Sequence, residues 1–375
     1  MAGSKRMANV ELLRVLAMVM VVVMHFLSHS DRLVDIEQPL SSVRIIGTLL
    51  EMFCLVAVNT YVFISGYFGI KSAFRPSRAV ALLCQIWFYA ILIPVVLMLA
   101  GVPALGYHAG KWDVYGLIQY LFPIETEHYW FATAYLMLYL LTPVLGAAVR
   151  AMSKKQLQIT LGGLLLLFSG IKSISPFMFV VDKCGYDLTW FICVYLVAAY
   201  FGLYGSVFFE KRGWLVYVVC SLASFVIQMG MWFLCQKSGS FEYYFTVPFH
   251  YNFILCLTGA IGLFYGFLKI RVKEGAVAEG IRKLGALSFG IYLLHEHIDL
   301  RSLWYGWFSG MINPGGKQGI FYFLLELFCC IILLFVAGIF IDWLRSILFK
   351  TAGAVLGRTK PGQKLKELDG YFAVK

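Results

Sequence analysis

Residues 11–29 read Glu11-Leu-Leu-Arg14-Val-Leu-Ala-Met-Val-Met-Val-Val-Val-Met-His25-Phe-Leu-Ser-His29. The run is apolar enough to cross a bilayer, yet it holds an arginine and a histidine that a lipid-facing helix would not carry. Arg14 and His25 are eleven positions apart. At about 100° per residue that spacing returns to the same helix face, displaced by roughly 16 Å along the axis. One face of one helix therefore holds a cation near the start of the span and an imidazole most of a bilayer away. Ionisable groups inside a membrane are costly and face a cavity or a partner. The pair points to chemistry that connects the two sides of a membrane.

Hydrophobic stretches of comparable length recur to the far end of the 375 residues. Ten fall at about 8–29, 42–68, 79–101, 128–148, 157–174, 188–206, 213–235, 251–269, 284–307 and 319–348. The composition agrees: 61% of the residues are hydrophobic and 14% charged, with a mean hydropathy of +0.79. These values exclude an ordinary soluble domain. The first stretch begins with Lys5 and Arg6, as a signal peptide does. Arg14 interrupts its apolar run and no small-residue cleavage site follows, so a retained anchor is expected. The fold class is all-α: a polytopic membrane protein of about ten transmembrane helices. Residues 1–348 form the membrane domain, and 349–375 form a short, basic, Gly-containing tail that is solvated or associated with headgroups.

The net charge of +11 is not a nucleic-acid signal. With ten spans and a cytoplasmic start, 22 of the 31 Lys and Arg fall on inner loops and 8 on outer ones, Arg14 lying within the membrane. That bias follows the positive-inside rule and places both termini in the cytoplasm. The seven histidines distribute the other way. His25 and His29 end the first span, His108, His128 and His250 sit in or beside outer loops, and His295 and His297 lie mid-span in the ninth. An anionic ligand would gather inside, and proton-transfer groups face outward.

The nine cysteines are scattered, with no CxxC and no Cys/His ligand spacing, and read as small buried hydrophobes. A Cys184–Cys235 pairing near the outer face stays open. Two longer outer loops, about 102–127 and 236–250, are rich in aromatics, including Tyr107, Trp112, Tyr115, Tyr120 and Tyr243. They suit stacking on sugar rings or interfacial anchoring equally. No internal repeat is evident, which disfavours transporters built from paired halves.

Several constellations bear on chemistry. His25 suits a general base that takes a proton from an attacking hydroxyl, and Arg14 suits binding a phosphate or carboxylate or orienting the site. The alternative has Arg14 snorkelling to inner headgroups and His25 sitting in outer ones. His29 shares the face one turn on, and Glu11 can pair with Arg14. Ser288, Tyr292 and His295, at i, i+4 and i+7, form one polar stripe that is either a packing network or a site wall. His295 and His297 diverge by about 200° on a helix, so no metal site is expected there. Lys71, Arg75 and Arg78 put three cations at the mouth of two helices, where they could grip phosphates. Ser65-Gly66-Tyr67 ends the second span with a small-polar break. Gly66 and Gly262-x-x-x-Gly266 suit close helix packing. Glu51 and Glu326 are carboxylates inside spans that need partners.

These residues resemble the acyltransferase-3 family of integral-membrane acyltransferases. The resemblance rests on Arg14-x10-His25, Phe63-Ile-Ser-Gly-Tyr67, Arg75-x-x-Arg78, Tyr129-Trp130-Phe131 opening a span that ends Leu141-Thr-Pro143, and Leu287-Ser-Phe-Gly-Ile-Tyr-Leu-Leu-His295. It covers about residues 8–348. It implies roughly ten spans and transfer of an acyl group, usually acetyl from cytoplasmic acetyl-CoA, to a hydroxyl of an extracytoplasmic glycan. By resemblance His25 and Arg14 are the catalytic pair, Arg75 and Arg78 handle the donor, and Trp130 is a functional aromatic grouped with them. Ser65, Tyr67, Ser288, Tyr292 and His295 support the site. Some members carry an SGNH-type hydrolase-like domain after the membrane domain. None is evident here, so the acceptor step is expected to use the membrane domain or a separate extracytoplasmic transferase.

The resulting expectation is an acyl-CoA-dependent O-acyltransferase of a bacterial cytoplasmic membrane. Acetyl-CoA is its co-substrate, a surface polysaccharide or its lipid-linked precursor its acceptor, membrane lipid its surroundings, and no metal takes part. Its rivals are a transporter or flippase for an anionic or glycolipid substrate, and an acyltransferase using succinyl-CoA or a non-sugar acceptor.

Overall fold

A computed structural model describes residues 6–108, 110–175 and 183–372, apart from the side chain of His108. Among the described residues the secondary structure is helical, with one two-stranded ribbon. In order the elements are α1 (Ala8–His29), α2 (Ser42–Cys54), α3 (Ala57–Gly69), α4 (Pro76–Leu99), β1 (Tyr107–His108), β2 (Lys111–Trp112), α5 (Val114–Leu121) and α6 (Trp130–Ala151). There follow α7 (Lys154–Leu165), a π-helical segment Leu166–Ile171, α8 (Lys172–Ile174), α9 (Leu188–Tyr204), α10 (Val207–Ser238), α11 (Glu242–Thr246) and α12 (Ile254–Leu268). The last four are α13 (Ala276–His295), α14 (Trp304–Ile312), α15 (Ile320–Leu356) and α16 (Lys360–Tyr371).

Eight helical segments among the described residues are long and apolar enough to cross a membrane, so the chain is an all-α, multi-pass membrane protein. The other two expected spans are α9, an apolar helix of 17 residues, and α13. The second expected span is broken at Leu55–Val56 into α2 and α3. The ninth differs most from its expectation. Its helix does not occupy 284–307 but starts at Ala276 and ends at His295. The charged turn Glu279–Lys283 continues the helix at its start, because Arg282 pairs with Glu274 and Glu279 and donates to the Arg6 carbonyl at 2.8 Å. His295 is therefore the last helical residue and His297 lies in the turn beyond, not mid-span.

α1 runs through the middle of the bundle, enclosed by α2, α3, α12, α13 and α15. Its Leu13, Ala17, Val22, Phe26 and Leu27 are completely buried, which is why a span with two ionisable groups is tolerated: its polar face meets protein, not lipid. Small residues let neighbouring helices close up. A Cβ at Gly66 would sit 2.6 Å from the Tyr195 carbonyl oxygen of α9, and one at Gly262 would sit 2.8 Å from the Gly213 oxygen of α10.

At one end of the bundle Arg282 donates to the Arg6 carbonyl, Arg150 donates to the Ile70 carbonyl at 3.3 Å, and α16 packs on the start of α4. This is the basic end; the ends of α1 and α13 carry the histidines at the opposite end. The boundary expected at 348 falls inside the continuous helix α15. The tail beyond it does not trail free, because α16 docks on the start of α4. Cys235, half of the pairing left open above, is a free thiol. Lys172, one of the eight Lys and Arg counted to the outer side, is buried with His250 and Asn252.

Candidate active site

Two cavities lie along the polar face of α1. The first, about 370 Å³, opens at the basic end and is lined by Arg14, Ser65, Arg78, Tyr135, Tyr139 and Arg150, with Phe74 and Phe372 at its rim. The second, about 250 Å³, is lined by Arg14, His25, Tyr61, Ser65, Trp130 and Tyr135, with Ser288 and Tyr292 opposite and Met18, Val21 and Met24 between. Three residues line both: Arg14, Ser65 and Tyr135. The Ser65 hydroxyl and Tyr135 Oη are 2.9 Å apart. These residues border both cavities, forming a neck between a basic chamber and a histidine chamber, and α1 supplies a residue to each.

Arg14 is held from both sides. Its guanidinium donates to Glu11, a carboxylate 1% exposed, and its carbonyl accepts from Tyr61 Oη at 2.6 Å. Glu11 in turn lies 3.7 Å from Arg6. A buried carboxylate left without its arginine would be costly, so the pair fixes the cation at the neck.

At the other end His25 Nδ1 lies 2.9 Å from His295 Nε2 and 3.2 Å from Glu296 Oε1. His295 Nδ1 lies 2.6 Å from the Ile291 carbonyl oxygen. The proton positions follow from that carbonyl, which only accepts. His295 Nδ1 must carry the hydrogen, so in the neutral ring Nε2 is the acceptor. His25 must then donate from Nδ1, and Nε2 of His25 keeps the lone pair. The helix backbone of α13 thus selects the tautomer in which the second nitrogen of His25 is basic. His25, His295 and Glu296 are also the one group among the described residues whose ligand atoms, within 4.8 Å of one another, could hold a metal ion. A hydrogen bond links the two imidazoles, and Glu296 lies at ion-pair distance from His25. His29, the neighbour on the same face, packs edge-on against Trp304 at 5.9 Å.

The remaining expected site residues divide. Ser65 sits at the neck. Ser288 and Tyr292 line the histidine chamber, Ser288 donating to the Gly285 carbonyl at 2.9 Å. Trp130 lines the same chamber, stacked on Tyr251 at 5.8 Å and beside Tyr186 at 4.7 Å. It is across the neck from Arg78, so the structure does not bring it to the arginine pair. Arg78 lines the basic chamber. Arg75 does not; its side chain is exposed, and its backbone exchanges hydrogen bonds with Tyr139 Oη at 3.1 and 3.2 Å. Tyr67 lines neither cavity and packs against Phe264 at 4.8 Å. Residues not singled out from the sequence are Glu296, Tyr61, Tyr135, Tyr139 and Arg150. Arg150 was visible only as one of many inner cations, and the three tyrosines lie within apolar spans with no spacing to set them apart.

His297 belongs to a separate cluster. Its ring lies 4.4 Å from that of His128, and its Nε2 faces the Ala90 carbonyl at 3.4 Å. Tyr120 Oη donates to Asp299 at 2.8 Å. Burial pushes the His128 imidazole down to about 4 and holds the Asp299 carboxyl above its ordinary range.

No curated protein and no solved structure was found to match the chain. A family model described as an acyltransferase domain, acyltransferase-3, matches residues 7–344. That stretch takes in the second cavity, the first apart from Phe372, the neck and the His25–His295 pair, and the protein therefore belongs to the acyltransferase-3 family, as a multi-pass membrane acyltransferase.

Proposed function

We propose that the protein is an acyl-CoA-dependent O-acyltransferase of a bacterial cytoplasmic membrane. It takes an acyl group, acetyl in the simplest case, from cytoplasmic acyl-CoA to a hydroxyl of an extracytoplasmic or lipid-linked glycan. The observation that carries this reading is the pair of cavities meeting at Arg14, one basic and one holding a histidine with a defined basic nitrogen.

The donor's phosphates suit the basic chamber, where Arg78 and Arg150 supply guanidinium groups and Phe74 and Tyr139 supply aromatic faces. The pantetheine arm passes the neck beside Arg14, and the thioester reaches the histidine chamber. The acceptor hydroxyl approaches His25 from the opposite end, past Trp130, Tyr186 and Tyr251. His25 Nε2 takes its proton as the oxygen attacks the thioester carbonyl. The C–O bond forms, the C–S bond breaks, and CoA leaves as the thiolate, which collects the proton. His295 and Glu296 are positioning residues: they hold the ring and favour the imidazolium as it forms.

The test is acetyl-CoA turnover by detergent-purified protein, with CoA binding read in parallel. CoA binding together with His25-dependent release of free CoA is expected. Folded protein that binds no CoA, or a His25→Ala variant with wild-type turnover, would overturn the reading.

A further inference from the structure

The C-terminal helix α16 meets the start of α4 at a specific contact. Asp369 accepts hydrogen bonds from the Ser77 backbone N–H at 2.9 Å and from the Ser77 hydroxyl at 2.6 Å. Ser77 is in the first turn of α4, flanked by Arg75 and Arg78. One turn beyond Asp369, Phe372 packs edge-on against Phe74 at 4.9 Å, and both rings line the basic chamber at its rim. A helix N-terminus with two neighbouring arginines favours an anion. In this structure the anion is supplied by the chain itself.

We propose that the segment Lys360–Phe372 is an intramolecular latch that competes with the anionic donor for the mouth of the basic chamber. The proposal rests on the reading that the donor's phosphates enter there. In the closed state Asp369 takes the amide and hydroxyl of Ser77, and Phe372 covers the rim. A phosphate arriving at the same turn meets a carboxylate of like charge, so donor binding and latch closure exclude one another. The latch is small and easily exchanged. No residue of α16 is fully buried, and among the described residues its polar and aromatic hold on the start of α4 rests on the Asp369 hydrogen bonds and the Phe372–Phe74 edge. Once released, Lys360, Lys364 and Lys366 suit the helix to anionic headgroups at the membrane surface. Closure lowers the apparent donor affinity by the fraction of open molecules. A latch closed nine-tenths of the time weakens binding about tenfold.

Three proteins test this: the full chain, Asp369→Ala, and a chain ending at Arg358. CoA binding is measured by calorimetry in detergent, with acetyl-CoA KM and kcat alongside. Both variants are expected to bind CoA about five- to tenfold more tightly and to lower the KM with kcat at saturation unchanged. A fourth protein, Ser77→Cys/Asp369→Cys, locks the latch by a disulfide. It is expected to lose CoA binding when oxidised and to recover it on reduction. If the full chain binds CoA and neither variant binds more tightly, the latch is refuted while the donor reading stands. Weaker binding by the shortened chain would make α16 part of the donor site, also refuting the latch. If no form binds CoA, the donor reading fails and the latch falls with it.

Discussion

His295→Ala isolates the role assigned to the histidine pair. The substitution removes the acceptor 2.9 Å from His25 Nδ1 and the link to the Ile291 carbonyl that sets the tautomer. Leaving one buried hydrogen-bonding group without its partner costs about 1–3 kcal/mol. If that cost falls on the transition state, kcat drops about 5- to 160-fold at 1.36 kcal/mol per decade. Glu296, 3.2 Å from the same nitrogen, can take over part of the role, so the expected loss is about tenfold, near the low end of that range. His295→Ala/Glu296→Ala is expected to approach the loss in His25→Ala, about 10²–10⁴-fold for removal of a general base. The acetyl-CoA KM should not move, because neither residue lines the basic chamber. His295→Gln, whose amide oxygen can accept, should recover part of the activity. The assay is steady-state turnover on protein shown to be folded by thermal unfolding. A folded His295→Ala with kcat within about twofold of wild type would refute the tautomer argument, as would a loss confined to KM.

Arg14→Ala is expected to lose activity and also stability, by about 3–5 kcal/mol, because Glu11 is left buried without its main partner. Adding Glu11→Gln should restore the unfolding temperature but not turnover; an active double variant would remove Arg14 from the mechanism. Gly66→Ala forces a Cβ to within 2.6 Å of the Tyr195 oxygen and 2.7 Å of Ala198. It should cost about 1–3 kcal/mol by thermal unfolding, while Gly162→Ala, with nothing within 4 Å, serves as the neutral control. His128, held down to about 4 by burial, makes stability pH-dependent. Below an unfolded value near 6.5 the unfolded chain takes up a proton that the folded chain refuses. Stability should therefore fall from about pH 6.5 to about pH 4 and level off below. His128→Gln should lessen the slope in that window by at most one proton's worth; the other buried histidines, and Asp299, which is raised by burial and acts in the opposite direction, are common to both proteins.

The spans were legible because about 20 apolar residues leave a bilayer-crossing helix little alternative. Arg14 and His25 stood out for the same energetic reason, and their common face is a matter of helix geometry alone. What the sequence hid depends on tertiary packing. α13 begins eight residues before its apolar run because Arg282 finds partners from Arg6 and Glu274. Glu296 enters the site only because the helix ends at His295 and turns the next side chain toward α1. Arg75 and Arg78 look alike in sequence, but Tyr139 holds the Arg75 backbone at the rim while Arg78 reaches the chamber. Trp130 opens α6 at the histidine end, so its chamber is fixed by the direction of that helix rather than by any motif. The docking of α16 turns on one aspartate in a basic tail, a signal too small to separate from solvated charge.

The neck has a consequence for the membrane as an electrical barrier. A protein hollowed from both ends risks conducting protons and cations down the potential, each worth about 2.3 kcal/mol per 100 mV. Here the two hollows meet at the Ser65–Tyr135 hydrogen bond and a fixed guanidinium. A positive charge at a constriction repels hydronium and metal cations alike, as arginine does in water-selective pores. On the proposed route a slender neutral chain passes a neck that a fixed guanidinium guards against cations, so the transfer need not discharge the bilayer.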